Sequence, residues 1–246
     1  MSNTAAIMTI SKTKPSWAKP KQFDNNVIVI GGGSAGLVTA YIAAAVKAKV
    51  TLIEKHRMGG DCLNTGCVPS KALISTTRLL ATTARAKELG IAKLTAEYNF
   101  AEVMERVQSV IKAVAPHDSI ERYESLGVNV IEGAAKIISP WEVEVTTKSG
   151  TQTLSTLAIV IAAGARPLVP PIPGIETIDY LTSDNIWNLR EQPKRLLVLG
   201  GGPIGCELAQ CFARLGSQVT IVEMAARLLM REDEDASIMV LDQFKK

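Results

Sequence analysis

The chain has few aromatic residues, few cysteines and histidines, and little net charge. Aromatic residues make up 4% of its 246 residues, and the formal net charge is +3. This charge is too small to favour nucleic acid as a partner. No segment approaches the roughly 18 consecutive apolar residues of a membrane-spanning helix, so no membrane partner is expected either. The remaining composition, 47% hydrophobic, is typical of a soluble globular α/β protein that can bury a core.

The first 25 residues also lack the features of a targeting signal. They have no apolar segment of the secretory kind and no arginine, so we expect residues 1–25 to form a disordered tail. Four cysteines are too few for a disulfide scaffold in a chain of this length, which favours the reducing cytoplasm. In that compartment a bridged cysteine pair is expected to be catalytic or redox-sensing. No metal site is predicted.

The clearest motif that is present is a glycine-rich turn near the N-terminus. It follows a predicted apolar strand at residues 27–30, and the next predicted strand, residues 50–53, ends at Glu54. In this order of elements the first motif glycine permits a tight turn, the second lets the backbone approach a pyrophosphate, and the last lets helix and strand pack closely. Glu54 can accept hydrogen bonds from a ribose. The sequence therefore predicts a dinucleotide site that includes Gly31, Gly33, Ser34, Ala35, Gly36 and Glu54.

The same pattern returns 169 residues later. A predicted strand at residues 196–199 leads into a second glycine turn, and a further strand, residues 219–222, ends at Glu223. Chance is a poor explanation for a repeat in which every key position has the same offset. The predicted site residues of this second unit are Gly200, Gly202, Pro203, Ile204, Gly205 and Glu223.

Between the two units the sequence predicts helices and then short strands. The helices are expected at residues 72–89 and 100–126, the latter with an interruption at Pro116, and the strands at residues 128–131, 135–138, 141–146, 151–154 and 157–161. A proline-rich stretch at residues 167–174 predicts a stiff connector. The predicted fold is therefore α/β, with two Rossmann-like dinucleotide-binding units and a small β-rich insertion. Its predicted domains are residues 26–170 and 171–246.

Cys62 and Cys67 lie in a run of small and turn-forming residues just before the first of these helices. A regular helix would place residues i and i+5 about 140° apart, so a bridge between them needs a distorted backbone. Gly66 permits such a distortion, and Pro69 suits the first turn of a helix that resumes afterwards. A strained, accessible disulfide is typical of redox chemistry. The alternative is a pair of ordinary buried thiols.

Cys206 and Cys211 share this spacing, but no glycine or proline separates them. On a regular helix their side chains should diverge, so we interpret them as packing residues. The contrast indicates that the local backbone, and not the spacing alone, carries the redox signal.

Two dinucleotide sites in one chain suggest that one cofactor stays bound while the other exchanges. A flavin accepts hydride from NAD(P)H and passes electrons onward in pairs, and a redox disulfide is a natural recipient of two electrons. The residues alone therefore predict a flavin–nicotinamide–disulfide relay.

The sequence also resembles the pyridine nucleotide-disulfide oxidoreductases, in particular the branch of dihydrolipoyl dehydrogenase, mercuric reductase and glutathione reductase. The resemblance rests on residues 59–71, on both glycine turns, and on residues 200–209, which include Glu207. It covers almost the whole chain after residue 25. It implies FAD in the first unit and a nicotinamide cofactor in the second.

The resemblance further implies roles for individual side chains. Cys62 would meet the substrate, and Cys67 would lie next to the flavin. Lys71 would approach the reactive flavin nitrogen and pair with Glu207, because a cation there stabilises the negative charge that arrives with the hydride. Cofactor contacts are also implied at Gly60, Asp61, Cys62, Lys71, Ala135, Ala163 and Gly164. At Asp61 the family usually has threonine, so an acid stands where a hydroxyl would face the FAD phosphates.

Glu223 favours NAD over NADP, because a carboxylate at this position binds a ribose 2′-hydroxyl and repels a 2′-phosphate. The expected substrate is a small dithiol or disulfide, or a thiol-bound metal. The sequence does not choose among lipoamide, glutathione disulfide and Hg(II). The resemblance implies homodimers of chains roughly twice this size, and it implies that the interface domain and the His–Glu acid–base pair lie outside this sequence. The alternatives are a catalytically incomplete FAD- and NAD-binding fragment, or another two-dinucleotide flavoprotein, which the cysteine motif argues against.

Overall fold

The computed structural model describes residues 17–245, so residues 1–16 of the predicted tail lie outside the described part. The strands are β1 (Asn25–Ile30), β2 (Val50–Glu54), β3 (Val128–Glu132), β4 (Ala134–Ser139), β5 (Glu142–Thr147), β6 (Gly150–Ile161), β7 (Arg195–Leu199) and β8 (Gln218–Val222). The α-helices are α1 (Ser34–Ala45), α2 (Gly60–Asn64), α3 (Cys67–Ala84), α4 (Phe100–Val114), α5 (Ile120–Ser125), α6 (Pro203–Arg214) and α7 (Glu234–Phe244). Among residues 17–245, no helix has both the length and the apolarity needed to span a bilayer.

The larger sheet has six strands in the order β3-β2-β1-β6-β5-β4, and β7 and β8 form a separate parallel pair. β1 lies inside the sheet, parallel to both β2 and β6. Its residues Ile28 and Val29 have no exposed surface, as expected of a strand covered on both faces. The chain leaves β1 through α1 towards β2, while β6 lies on the other side of β1. In open α/β sheets, ligands bind in the crevice at such a reversal of strand order.

The β-rich region differs from the prediction at two points. β3 pairs in parallel with β2, so it belongs to the nucleotide-binding sheet and not to the insertion. The two strands predicted at residues 151–154 and 157–161 form one strand, β6, because Ser155 stays extended and its N–H donates to Asp24 Oδ2 at 2.9 Å. The first half of β6 pairs with β5 and the second half with β1. The insertion therefore consists of β4, β5 and the first half of β6.

The two predicted helical regions are confirmed, and each contains one short 3₁₀ turn. The first predicted region corresponds to α3 and the turn Ala86–Leu89 that follows it. The second is interrupted by the turn Ala115–Asp118, which contains Pro116, as the sequence predicts.

Helices α3, α4 and α6 share one buried core. Leu73 of α3, Met104 of α4 and Phe212 of α6 have no exposed surface. Trp187, from the short turn Ile186–Asn188 that precedes β7, joins the same cluster. The helix that begins at Cys67 therefore packs directly against the helix that follows the second glycine turn.

Candidate nucleotide and dithiol site

The turn after β1 requires glycine at two positions. Gly31 has a φ of +108°, and a Cβ there would overlap the carbonyl oxygen of Ala162. A Cβ on Gly36 would overlap the carbonyl oxygen of Gly31, so only glycine lets α1 lie this close to the turn. No side chain caps the N-terminus of α1, which leaves its amides available to a phosphate.

A cavity of about 760 Å³ opens beside this turn, at the C-terminal ends of β1, β2 and β6. Cavities of roughly 300–1,000 Å³ are typical of small-molecule sites. Among the residues predicted to contact a cofactor, the cavity is lined by Gly31, Gly33, Glu54, Gly60, Asp61, Ala135, Ala163 and Gly164. The others predicted for this unit do not line it: Ser34, Ala35 and Gly36 on α1, Cys62 on α2, and Lys71 on α3.

The carboxylate of Glu54 is held in place at the edge of this cavity. Its Oε2 accepts a hydrogen bond from the N–H of Gly32 at 2.6 Å, and its Oε1 accepts one from the N–H of His56 at 2.6 Å. A carboxylate offers about four lone-pair directions, so acceptor capacity remains for a ribose hydroxyl.

Glu223 repeats this arrangement in the second unit. Its Oε2 accepts from the N–H of Gly201 at 2.6 Å, and its Oε1 accepts from the N–H of Ala225 at 2.8 Å. These two backbone donors, Ala225 first, hold the pKa of Glu223 below its usual value. The carboxylate is therefore ionised at neutral pH and carries the charge that would repel a 2′-phosphate.

Four basic residues that were not predicted as site residues from the sequence also line the cavity beside the first glycine turn: Lys55, His56, Arg57 and Arg166. Nη2 of Arg166 lies 3.1 Å from Nε2 of His56, so the loops after β2 and β6 meet across the end of β1. The cluster places positive charge beside a site predicted for a pyrophosphate. The position of three of these residues directly after Glu54 was the available signal, whereas nothing in the sequence pointed to Arg166.

The helix between Cys62 and Cys67 is broken, as predicted. α2 ends at Asn64, and Gly66 has a φ of −117° and a ψ of −107°, which are not helical. α3 then begins at Cys67 and has Pro69 in its first turn. The two cysteines therefore lie on two short helical segments and not on one regular helix.

Two glycines before α2 bring this segment against the first glycine turn. Gly59 and Gly60 both have positive φ, +85° and +53°. A Cβ on Gly60 would lie 2.6 Å from the Cα of Gly33, so the two backbones are in contact. The side chain of Asn64 fixes the approach, because its Nδ2 donates to the carbonyl oxygen of Gly60 at 2.8 Å.

Cys62 and Cys67 are both present as thiols, the first half-buried and the second exposed. The pKa of Cys67 is raised above its usual value, first by hydrogen bonding with the Cys62 thiol and then by burial. The charge of Lys71 acts in the opposite direction and lowers it, with less effect. The Cys62 thiol therefore lies close enough to influence Cys67, while the disulfide itself stays a prediction.

Lys71 and Glu207 form an ion pair between α3 and α6. Lys71 Nζ lies 2.9 Å from Glu207 Oε1, and the side chains are 63% and 42% exposed. An ion pair this exposed contributes only about 0–1 kcal/mol to stability. Stability alone is therefore a weak reason for a cation in this position, four residues after Cys67.

Cys206 and Cys211 are buried and diverge, which confirms their interpretation as packing residues. Cys206 Sγ lies 3.4 Å from the carbonyl oxygen of Gly201, which accepts its hydrogen bond. Cys211 Sγ instead accepts from Thr77 Oγ1 at 3.5 Å, on the side of α3.

The second glycine turn has the shape of the first. Gly200 has a φ of +104°, and a Cβ on Gly205 would overlap its carbonyl oxygen. Gly202 caps α6, which begins at Pro203 and Ile204. Pro203 and Glu207 line a smaller cavity of about 360 Å³ between α6 and α7.

The chain matches one known protein family over most of its length. Residues 25–246 match the model of the pyridine nucleotide-disulphide oxidoreductase family. The chain belongs to this family. Among its family relatives, a mercuric reductase of Bacillus cereus is 32% identical over 231 residues, which cover 94% of this chain and 36% of that protein. A dihydrolipoyl dehydrogenase of Chlamydia trachomatis is 33% identical over 222 residues, which cover 89% of this chain and 47% of that protein.

Solved structures agree with the family assignment. The HOCl-induced flavoprotein disulfide reductase RclA of Escherichia coli superposes with a TM-score of 0.74 at 31% identity, covering 89% of this chain and 47% of that one. The resemblance inferred from the motifs and the predicted α/β fold are therefore confirmed. The chain spans between about a third and half of the length of these oxidoreductases.

Proposed function

We propose that this chain is part of an FAD-dependent oxidoreductase in which electron pairs pass between NADH, flavin and the Cys62–Cys67 pair. The observation that carries the proposal is the ion pair of Lys71 and Glu207 at 2.9 Å. It joins the helix that starts at Cys67 to the helix that follows the second glycine turn. One contact therefore links the dithiol segment, the first unit and the second unit.

The residues around the larger cavity fit FAD. The glycines of the first turn leave room for a pyrophosphate, the uncapped start of α1 offers backbone N–H donors, and Glu54 keeps acceptor capacity for the adenosine ribose. Bound there, FAD would supply a two-electron carrier that accepts hydride. The residues that would hold it are Gly31, Gly33, Glu54, Gly60, Ala135, Ala163 and Gly164.

Lys71 and the two cysteines would then stabilise charge and exchange electrons with the flavin. Lys71 would stabilise negative charge near Cys67. When the disulfide is reduced, the S–S bond breaks, and Cys62 and Cys67 take up two protons and an electron pair that bound FAD would have received from NADH.

NADH is the proposed electron donor, because Glu223 directly follows β8 and its carboxylate is ionised. The proposed substrate is a small dithiol or disulfide, or a thiol-bound metal, since family relatives are named dihydrolipoyl dehydrogenase and mercuric reductase. We also propose the division into an FAD-binding part, residues 26–170, and part of an NAD-binding domain, residues 171–246. We also propose a reducing compartment, because four cysteines are too few for a disulfide scaffold.

A second candidate is a chain that holds FAD without turning over a disulfide. Such a chain would need only the glycine turns and the carboxylates fixed by backbone N–H groups. The experiment that follows separates the two candidates.

The test is reduction of the purified, flavin-loaded chain with NADH in the absence of oxygen. We expect flavin absorbance after purification and, on adding NADH, a long-wavelength charge-transfer band that Cys67→Ser removes and the control Cys211→Ser keeps. NADPH should produce the band more slowly than NADH. Bound flavin without the band in a folded chain would favour the second candidate. Turnover with lipoamide, glutathione disulfide and Hg(II) identifies the substrate.

A further inference from the structure

Trp187 reaches into the break between the two cysteines. Its side chain is buried, with 3% of its surface exposed. The indole N–H is shared between two carbonyl oxygens, that of Ser183 at 2.7 Å and that of Thr65 at 2.8 Å. Thr65 lies between α2 and α3, inside the Cys62–Cys67 segment. A residue of the turn before β7 therefore contacts the dithiol segment 122 positions earlier in the chain.

The carbonyl of Thr65 needs this donor because its helical partner does not exist. In an α-helix it would accept from the N–H of residue 69, but residue 69 is proline and has no N–H. The next carbonyl along, that of Gly66, does receive its helical bond, from the N–H of Ser70 at 3.0 Å. This bond is partly buried, and a carbonyl shielded from water without a partner is costly, so the indole takes the place of the missing backbone donor.

Trp187 is itself fixed from the other side. Its carbonyl oxygen accepts from Gln108 Nε2 of α4 at 3.1 Å and from Arg190 Nη1 at 3.2 Å. Arg190 also pairs with Glu105 of α4 at 2.6 Å. The ring belongs to the core shared by α3, α4 and α6. The indole that donates to Thr65 is therefore fixed by α4 and by the core of α3, α4 and α6.

We propose that Trp187 is a positioning residue for the redox pair. Its N–H keeps the Thr65 carbonyl in the non-helical conformation that brings Cys62 and Cys67 together. The inference rests on the proposed redox function of that pair. Without the N–H, the Thr65 carbonyl loses its donor, and the reduced segment can relax to conformations in which the two thiols lie farther apart. The disulfide demands the broken conformation in any case, so losing the hydrogen bond makes disulfide formation less favourable.

The test is the thiol–disulfide equilibrium of the 246-residue chain with dithiothreitol and its cyclic disulfide, at several ratios. Each cysteine gives up one proton and one electron, the Cys62–Cys67 bond forms, and the S–S bond of the cyclic reagent breaks as it takes up both protons and both electrons. Remaining thiols are alkylated after acid quenching, and the bridge is assigned by peptide mass. Neither flavin nor substrate is needed.

Two variants remove the donor. In one, Trp187 is replaced by 3-benzothienylalanine, which keeps the size and shape of the ring and has sulfur in place of N–H. The other is Trp187→Phe. Trp141→Phe, in the turn between β4 and β5, is the matched control. A hydrogen bond contributes about 1 kcal/mol, so we expect the equilibrium constant for disulfide formation to fall about fivefold in both variants and not in the control. A fivefold change corresponds to a reduction potential about 20 mV less negative.

An unchanged equilibrium constant in the benzothienylalanine chain would overturn the inference and leave the redox function standing. That variant decides the question because Phe is smaller and can loosen the core by itself. If the unsubstituted chain forms no Cys62–Cys67 disulfide at any ratio, the redox function fails and the inference fails with it. A role in stability alone would lower the melting temperature without moving the thiol–disulfide equilibrium.

Discussion

At the scale of single residues, the pKa of Cys67 is decided by its neighbour. Cys67 is the first residue of α3, and the backbone and the charge of Lys71 both lower its pKa. Hydrogen bonding with Cys62, burial and the charge of Cys62 raise it, and these effects win. The helix N-terminus thus favours a thiolate that the partner thiol holds back in the reduced state.

Removal of the partner should therefore activate Cys67. In Cys62→Ala the largest cause of the raised pKa is gone, while the lowering effects of the backbone and Lys71 remain. We expect the pKa of Cys67 to fall, so that its thiolate fraction at pH 7 rises by up to about tenfold for each unit of the fall and its alkylation becomes faster. Iodoacetamide rates measured from pH 5 to 10 give the profile. Cys206→Ala serves as the control, and an unshifted profile in Cys62→Ala contradicts the assigned cause.

Some residue contacts could be expected from the sequence and others could not. The Lys71–Glu207 contact was expected, because both residues occupy positions of the family motif. The contact of His56 with Arg166, and that of Trp187 with Thr65, join residues 110 and 122 positions apart. Neither pair has a local pattern, since a side chain that crosses between loops leaves no periodicity in the sequence.

At the scale of elements, the approach of the cysteine segment to the glycine turn depends on Gly60. A Cβ at this position would lie 2.6 Å from the Cα of Gly33, and the backbone has little room to move there. Gly90 is a useful comparison, because it also has positive φ, +78°, but a Cβ added there would meet no atom within 4 Å.

The pair Gly60→Ala and Gly90→Ala separates backbone strain from displacement of the turn. Both substitutions place a side chain at positive φ, which costs about 1–2 kcal/mol. Only Gly60→Ala should also push the glycine turn away, so we expect its FAD affinity to fall at least tenfold while Gly90→Ala binds normally. Urea unfolding measures the strain and fluorescence titration measures the affinity. Equal affinities in the two variants would show that the backbone contact is unimportant for binding.

Elements were predictable where the signal is local. Gly66 and Pro69 predicted the broken helix, because glycine and proline act on the backbone within one turn. The continuity of β6 was not predictable, since the extended conformation at Ser155 depends on Asp24, which lies 131 residues earlier.

At the scale of the whole molecule, the core of α3, α4 and α6 joins the helix that begins at Cys67 to the helix that follows the second glycine turn. Phe212 lies at its centre and contacts Phe100, with ring centroids 6.1 Å apart. The repeat in the sequence predicts two units of one design, and the apolar spacing of α4 predicts a packed face. Neither reveals that the face of α4 is shared with α6, because amphipathicity does not specify the partner.

Phe212→Ala should destabilise α3 and α6 together, by about 3–5 kcal/mol. The cause is the cavity left in a core to which both contribute. Urea unfolding followed by tryptophan fluorescence and by far-ultraviolet circular dichroism should show one coincident transition at lower urea concentration. Leu79→Ala, at an exposed position, should change stability by less than about 0.5 kcal/mol. Two separated transitions in the unsubstituted chain would contradict a shared core.

The carboxylates of Glu54 and Glu223, which occupy equivalent positions in the two units, lower the entropy cost of nucleotide binding. A free glutamate side chain loses up to about 1.5–2 kcal/mol of rotamer freedom when it is immobilised. Both carboxylates are already fixed by two backbone N–H groups each, at 2.6 to 2.8 Å. That freedom is lost when the chain folds, so it does not reduce the affinity of either site when a ribose arrives.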